Sequence, residues 1–387
     1  MTSQDILPKD AHRATLVGRL LDPAAGPCIV HVRGDRLADV TRSFPTMSDL
    51  LDEADPAAAV AAAPAERDWD LQAVIAASLA AGGEAAHLLA PCDLQAVKAC
   101  GVTFASSMLE RVIEERTKGD PSRAAAVREQ IAGIVGGALS SVRPGSEAAQ
   151  KTKALLMEAG YWSQYLEVGI GPDAEVFTKA QPLAAVGLGA QIGVLRISHW
   201  NNPEPEVVLA VNSRAEVRGA ALGNDVNLRD IEGRSALLLG KAKDNNASCA
   251  LGPFIRLFDA GFGMDDVRQM RLQLRVTGTD GFVLDGFSSM AEISRDPADL
   301  VGAAMGRDHQ YPDGMMLMLG TLFAPTQDRE APGAGFTHKP GDQVEISADA
   351  LGRLVNTVGY ADELPPWSFG TRALMASLAR RGLLARS

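Results

Sequence analysis

The sequence lacks paired cysteines, an excess of positive charge and any long apolar run. Its four cysteines, Cys28, Cys92, Cys100 and Cys249, show no Cys-x-x-Cys spacing, and a chain of this size does not need disulfides for stability. They are expected to be reduced. Lys and Arg number 37 against 48 Asp and Glu, a formal net charge of −11. That balance argues against nucleic acid, whose affinity comes largely from basic side chains on phosphates. No stretch of 18 apolar residues offers a membrane span, and the N-terminal text MTSQDILPKDAHR carries acids and no apolar signal core. A cytoplasmic protein with no membrane partner is the expectation. There is no internal repeat, no Gly-x-Gly-x-x-Gly and no P-loop text, so nucleotide binding has no support.

What remains is a chain of 387 residues with 46% hydrophobic content and a mean hydropathy of zero, which describes a soluble globular protein longer than one average domain. A small N-terminal domain over 1–90 and a larger catalytic domain over 91–387 are expected. From Ala14 to Val40 the text reads as short strands with turns at Pro23 to Pro27 and at Gly34-Asp35. Alanine dominates residues 54–86, giving weak helices or a loose connector, and ordered text restarts at Leu88-Leu89-Ala90-Pro91. Met108, Leu109, Val112 and Ile113 have helical spacing, with Glu110 and Glu114 one turn apart on another face. Helical text continues over 119–165, broken at Pro144-Gly145. From Val176 strands dominate. Leu272, Leu274 and Val276 alternate with Arg271, Gln273 and Arg275, and Val344 and Ile346 repeat the pattern. Helical clusters flanking a β-rich body imply an α+β architecture.

The chemistry concentrates in Glu204-Pro205-Glu206 and Asp225. In a strand, residues two apart share a face, so Glu204 and Glu206 project together while Pro205 turns away. The β-branched run after them, a turn over Asn212 to Ala215 and the returning EVRGAAL make a hairpin. Folded about Ser213 and Arg214, it pairs position 204 with about 223 and leaves Asp225 at the same end as both glutamates. Three hard oxygen ligands with no nearby Cys favour Mg²⁺ or Mn²⁺ over structural zinc. Arg229 follows four residues after Asp225, and Lys243 lies further on. Anions bound to a metal need such cations alongside.

Several motifs recur in one order: Glu175 to Lys179, EPEVVL, GNDVNLRD, Lys243, Leu251-Gly252-Pro253, Gly320-Thr321 and KPGDQVEIS with LGRLVNTV. Over roughly residues 90–360 this run resembles the fumarylacetoacetate hydrolase superfamily. The resemblance implies a β-rich roll with mixed sheets, plus a helical lid insertion, a homodimer or homotetramer, and one divalent metal per subunit. It implies that Glu204, Glu206 and Asp225 hold Mg²⁺, or Mn²⁺, that Lys243 and Thr321 line the substrate pocket, and that Arg229 supports it. Lys241 competes for the lysine position, but the spacing to Gly252-Pro253 favours Lys243.

The superfamily's carbon–carbon hydrolases carry a His and a Glu six and nine residues beyond a Gly. Here Gly101 is followed at those positions by Ser107 and Glu110. Serine cannot deprotonate water as an imidazole does, which puts hydrolysis in doubt. An elimination needs only removal of an acidic proton and help for a leaving hydroxyl. That departure, with QYLEVGIGPDAEVFTK, SHWNNPEPEVVL, HQYPDG and GFTHK, resembles the branch of 2-keto-3-deoxy-pentonate dehydratases, which act on small sugar acids derived from D-xylonate or D-arabinonate and make 2,5-dioxopentanoate. On that reading Lys243, Glu110 or Glu114 is the base or proton donor. Ser107, Asn202 and Thr321 contact the substrate, and Arg229 binds it or tightens the metal site. His309 and His338 are candidate pocket residues, and Cys249 is a buried structural thiol. The rival readings are a Mg²⁺-dependent acylpyruvate hydrolase, an oxaloacetate decarboxylase and a non-catalytic keto-acid sensor.

Overall fold

The structure is a computed structural model, and it describes residues 1–80, 83–129, 142–158, 160, 162–323 and 325–384. Two sheets carry the architecture. The larger has eleven strands and runs in space from Asp68–Asp70 through Arg36–Asp39, Gly26–Arg33, Leu16–Asp22, Cys249–Leu257, Val217–Asp225, Pro205–Val211, Met315–Met318 and Ala96–Gly101 to Glu175–Ala180, with His87–Leu89 paired to Leu16–Asp22. Among the described residues, its one parallel strand pairing joins Met315–Met318 to Ala96–Gly101. The smaller sheet orders Val283–Ser289, Arg271–Thr277, Gln343–Ala348, Gly352–Tyr360 and Gln191–Val194, the last two parallel. The α+β class with mixed sheets stands.

Alternation decides which layer each strand face meets. Val207, Leu209 and Val211 join Leu272, Leu274, Val276, Val344 and Ile346 in the core between the sheets. The other face of the same strand turns Val208 and Ala210 toward Val40, Phe44, Met47, Leu50 and Val60 of the N-terminal segment. Pro205–Val211 is therefore buried on both sides, and every residue in it is inaccessible.

The N-terminal strands form as expected. The alanine-rich stretch is ordered helix, Pro56–Ala62 and Leu71–Leu79, each started by an aspartate, Asp55 or Asp70, whose side chain accepts from a first-turn amide. The expected helix is Ala105–Thr117, and Glu147–Glu158 and Gln164–Ile170 follow. Part of the helical text over 119–165 lies outside the described residues. These helices and Trp200 share a separate apolar cluster containing Met108, Val112, Ile113, Tyr165 and Leu166, which seats them beside the carboxylate end of the central hairpin.

Candidate metal and active site

The carboxylates sit on the hairpin of Pro205–Val211 and Val217–Asp225, whose pairing includes Glu206 with Gly223 and Pro205 with Asn224. The register differs by two residues from the expected pairing of 204 with about 223. The turn is longer than a tight hairpin. Ala215 takes a left-handed conformation, Asn212 Oδ1 accepts from the amides of Arg214 and Glu216, and the register shifts at Ala210/Val211. The consequence favours the site. The Glu204 carbonyl accepts from the Asp225 amide at 3.1 Å, so these two ligands lie directly across from each other. One carboxylate oxygen from each of Glu204, Glu206 and Asp225 falls within 4.8 Å of the others, and all three residues are buried.

Cations surround this triad. Lys243 Nζ donates to Glu204 Oε2 at 2.7 Å and to Asp225 Oδ2 at 2.9 Å. Lys179, fully buried, lies 2.8 Å from Asp225 Oδ1 and donates to the carbonyls of Val226 and Lys243. Arg111 reaches Glu204 Oε1 at 2.8 Å. Asp225 consequently stays below the usual carboxylate range: burial works against it, but the two lysines outweigh burial. Glu206 is the exception. Burial raises its pKa and the Asp225 and Glu204 charges raise it further; the Lys243 charge and then a hydrogen bond from the Gly320 amide at 2.6 Å oppose them. A buried carboxylate facing two others, with hard oxygens converging on one point, suits a divalent cation.

Lys243 is buried and lines the pocket, whereas Lys241 is exposed, which decides between the two lysines. With two carboxylates against it, Lys243 is held charged; burial opposes this and the Asp225 and Glu204 charges prevail. The helix Ala105–Thr117 brings Glu110 and Glu114 to the same pocket, both clamped by arginine. Arg229 donates to Glu114 at 2.6 Å and to Glu110 at 2.9 Å, and it stacks over Trp200 at 4.1 Å. Arg128 also binds Glu110 through two hydrogen bonds of 2.8 Å. Each of the three Arg229 nitrogens has a protein acceptor, the third being the Pro325 carbonyl at 3.2 Å. Ser107 lines the pocket while its hydroxyl donates to the Phe104 carbonyl at the helix start. Thr321 and Asn202 line it too. His309 is exposed, and His338 is buried against Asp342 away from the pocket.

The cavity left between these side chains is small, about 30 Å³. Its lining includes four residues that sequence reasoning left without a role. Arg111 ties Glu114, Glu204 and Glu232 together at 2.8 Å each. Glu232 is raised by burial to about 7, despite Arg111. Asn227 and Glu175 complete the set. Helical spacing placed Arg111 one residue from Glu110, and that adjacency was the available signal.

With this geometry, the comparisons with known proteins are specific. Residues 163–359 match the model described as fumarylacetoacetate (FAA) hydrolase C-terminal, half of the chain. The chain belongs to the fumarylacetoacetate hydrolase family. Among curated relatives, it is 29% identical over 201 residues to "Probable 2-keto-3-deoxyxylonate dehydratase" of Haloferax volcanii, covering 52% of this chain and 65% of that one. It is 29% identical over 184 residues to "2-dehydro-3-deoxy-D-arabinonate dehydratase" of Saccharolobus solfataricus, covering 48% and 58%. The matches span less than two thirds of either relative's length. Among solved structures, "2-keto-3-deoxy-D-arabinonate dehydratase complexed with magnesium and 2,5-dioxopentanoate" superposes with a TM-score of 0.62 at 20% identity, over 89% of this chain and 99% of that one. A structure described as a 5-carboxymethyl-2-hydroxymuconate delta-isomerase from Mycobacterium smegmatis superposes at 0.52 with 19% identity, covering 89% and 98%. These likenesses show that the family fold spans nearly the whole chain. Among the described residues, no helix is long and apolar enough to cross a membrane.

Proposed function

We propose that this family member is a divalent-metal-dependent dehydratase that removes water from a 2-keto-3-deoxy-pentonate, derived from D-xylonate or D-arabinonate, to give 2,5-dioxopentanoate. The observation that carries the reading is the pocket itself: three convergent carboxylates and Lys243 with no histidine among the described lining residues. Hydrolysis needs a base for water, and an imidazole is absent from the place where the family's hydrolases would carry it. The names of both curated relatives support the same reading, as do the magnesium and 2,5-dioxopentanoate with which the structural neighbour is complexed.

Glu204, Glu206 and Asp225 would hold Mg²⁺, or Mn²⁺. Bound there, the ion would supply Lewis-acid polarisation of the 2-keto group and a positive charge that opposes the charged form of Lys243. Lys243 takes a proton from C3. Glu110 and Glu114, held in ion pairs by Arg229, Arg128 and Arg111, would anchor the helix Ala105–Thr117 beside the pocket. Glu232, held near neutrality, is suited to give a proton to the departing C4 hydroxyl. Loss of that proton and that hydroxyl is loss of one water, and proton shifts along the enol leave the aldehyde at C5.

The test is an assay of purified protein with 2-keto-3-deoxy-xylonate and its C4 epimer in the presence of Mg²⁺, following 2,5-dioxopentanoate, beside an Asp225→Ala variant. Product that vanishes in EDTA and in the variant is the expected outcome. Pyruvate released from acylpyruvates or oxaloacetate, with no product from either epimer, would falsify the elimination.

A further inference from the structure

Beyond the carboxylate triad, a short two-stranded pairing in line with the hairpin carries side-chain polar atoms that the protein leaves unpartnered. Asn202 lies across from Asn227 in a short antiparallel pairing. The register is the one that sets Glu204 against Asp225 and Glu206 against Gly223. Asn202, Glu204, Glu206, Asp225 and Asn227 all line the one pocket. The two asparagines are 2% and 0% exposed. Asn202 Oδ1 and both side-chain polar atoms of Asn227 are buried without a hydrogen-bond partner. Native interiors rarely leave such groups unmatched, because each costs its full desolvation.

The unmatched atoms define what would match them. Asn202 Nδ2 donates to the Pro203 carbonyl at 2.9 Å, which fixes the amide and leaves its oxygen as an unmatched acceptor. Asn227 presents one acceptor and one donor whichever way its amide is turned. Two acceptors and a donor group call for hydroxyls, which both give and take. A carboxylate would satisfy the Asn227 amide but set its oxygens against two acceptors, and an apolar tail would satisfy none of them.

We propose that Asn202 and Asn227 form a hydroxyl-recognition subsite beside the metal carboxylates, selecting 2-keto acids with a hydroxylated tail over those with a charged or apolar tail. This deepens the dehydratase reading and rests on it for the placement of the keto-acid end at Glu204, Glu206 and Asp225. The C4 and C5 hydroxyls of an extended five-carbon chain then point at the asparagine pair, and the C4 hydroxyl is the one that leaves. A pair of carboxamides accepts either C4 epimer more readily than a single fixed donor does, since both amides offer an acceptor.

The test is isothermal titration calorimetry of the full chain with Mg²⁺, comparing D-xylonate with 2-hydroxypentanoate, which has the same chain length and metal-chelating end but no further hydroxyls. Wild type should prefer D-xylonate by about tenfold or more. Asn202→Leu and Asn227→Leu, close in volume to asparagine, should each cut that preference to under about threefold, with 2-hydroxypentanoate binding within about threefold of wild type. Retained 2-hydroxypentanoate binding also shows that the variant is folded. Equal binding of both ligands by wild type would overturn the subsite without reference to any variant. A folded variant that loses both ligands alike would overturn it as well, by making the asparagines supports of the metal carboxylates. Turnover of 2-keto-3-deoxy-pentonates is scored separately: preference without turnover sinks the dehydratase and leaves the subsite, and turnover without preference does the reverse.

Discussion

At the scale of single residues, the site depends on buried cations that hold buried anions. Lys179 is the clearest case, because its ammonium is fully buried against the Asp225 carboxylate, the Val226 and Lys243 carbonyls and, at 3.5 Å, Ser248 Oγ. Removing one member of such a pair leaves the other charged and dry, which costs far more than the pair contributes as a whole. Lys179→Met should therefore destabilise the protein by about 3–5 kcal/mol. It should also weaken Mg²⁺ binding by about 10–100-fold, since Lys179 orients a ligand without touching the ion. Thermal melting and metal titration check both, and a variant with wild-type metal affinity would remove Lys179 from the site. The sequence showed this lysine only as part of a motif. Asp225 lies 46 positions away, and nothing local marks the two as partners. Cys249 illustrates the opposite: its small apolar surroundings were legible, and burial raises its thiol pKa well above the ordinary value, leaving it inert.

At the scale of elements, the helix Ala105–Thr117 was legible because Met108, Val112 and Ile113 repeat at helical spacing, and all three are fully buried. What its other face binds was not legible. Arg229 reaches Glu110 and Glu114 from a different element, and Arg111 reaches Glu204 and Glu232 from the helix itself. Arg229→Ala should strip both glutamates of a partner and release the helix, seen as faster amide hydrogen exchange over 105–117 and a cost of about 3–5 kcal/mol. Arg229→Lys should recover only part of this, because a point charge cannot serve two carboxylates as a planar fork does. Unchanged exchange in the alanine variant would mean that apolar packing alone seats the helix. The central hairpin was legible as a hairpin, but its register was off by two: a left-handed Ala215 and the shift at Ala210/Val211 are conformational details that residue type does not announce.

At the scale of the whole molecule, the N-terminal strands are continuous with the site-bearing sheet. Leu16 and Val17 pair with Arg256 and Ile255 of Cys249–Leu257, the strand next to the one that carries Asp225. Residues before 64 also cover one face of the hairpin through Val40, Phe44, Met47 and Leu50. A chain beginning at residue 91 should therefore expose an unpaired strand edge and an apolar sheet face, and it should aggregate. Size-exclusion chromatography and circular dichroism of that fragment check this, with co-expressed residues 1–90 expected to restore solubility. A fragment that melts cooperatively near the wild-type temperature would contradict it.

The sequence by itself determined the α+β class, the helix beside the pocket, the family and the three carboxylates, because each is written in local periodicity or in a short ordered motif. Ser107 in place of a histidine was equally plain. Tertiary structure alone decided which cations meet those carboxylates, that Lys243 rather than Lys241 enters the pocket, and that Asn227 stands across from Asn202. The physical reason is common to all of these. A charge or an amide is an acceptable surface residue anywhere in a sequence, and only burial, which depends on chain segments far apart in order, makes its partner obligatory.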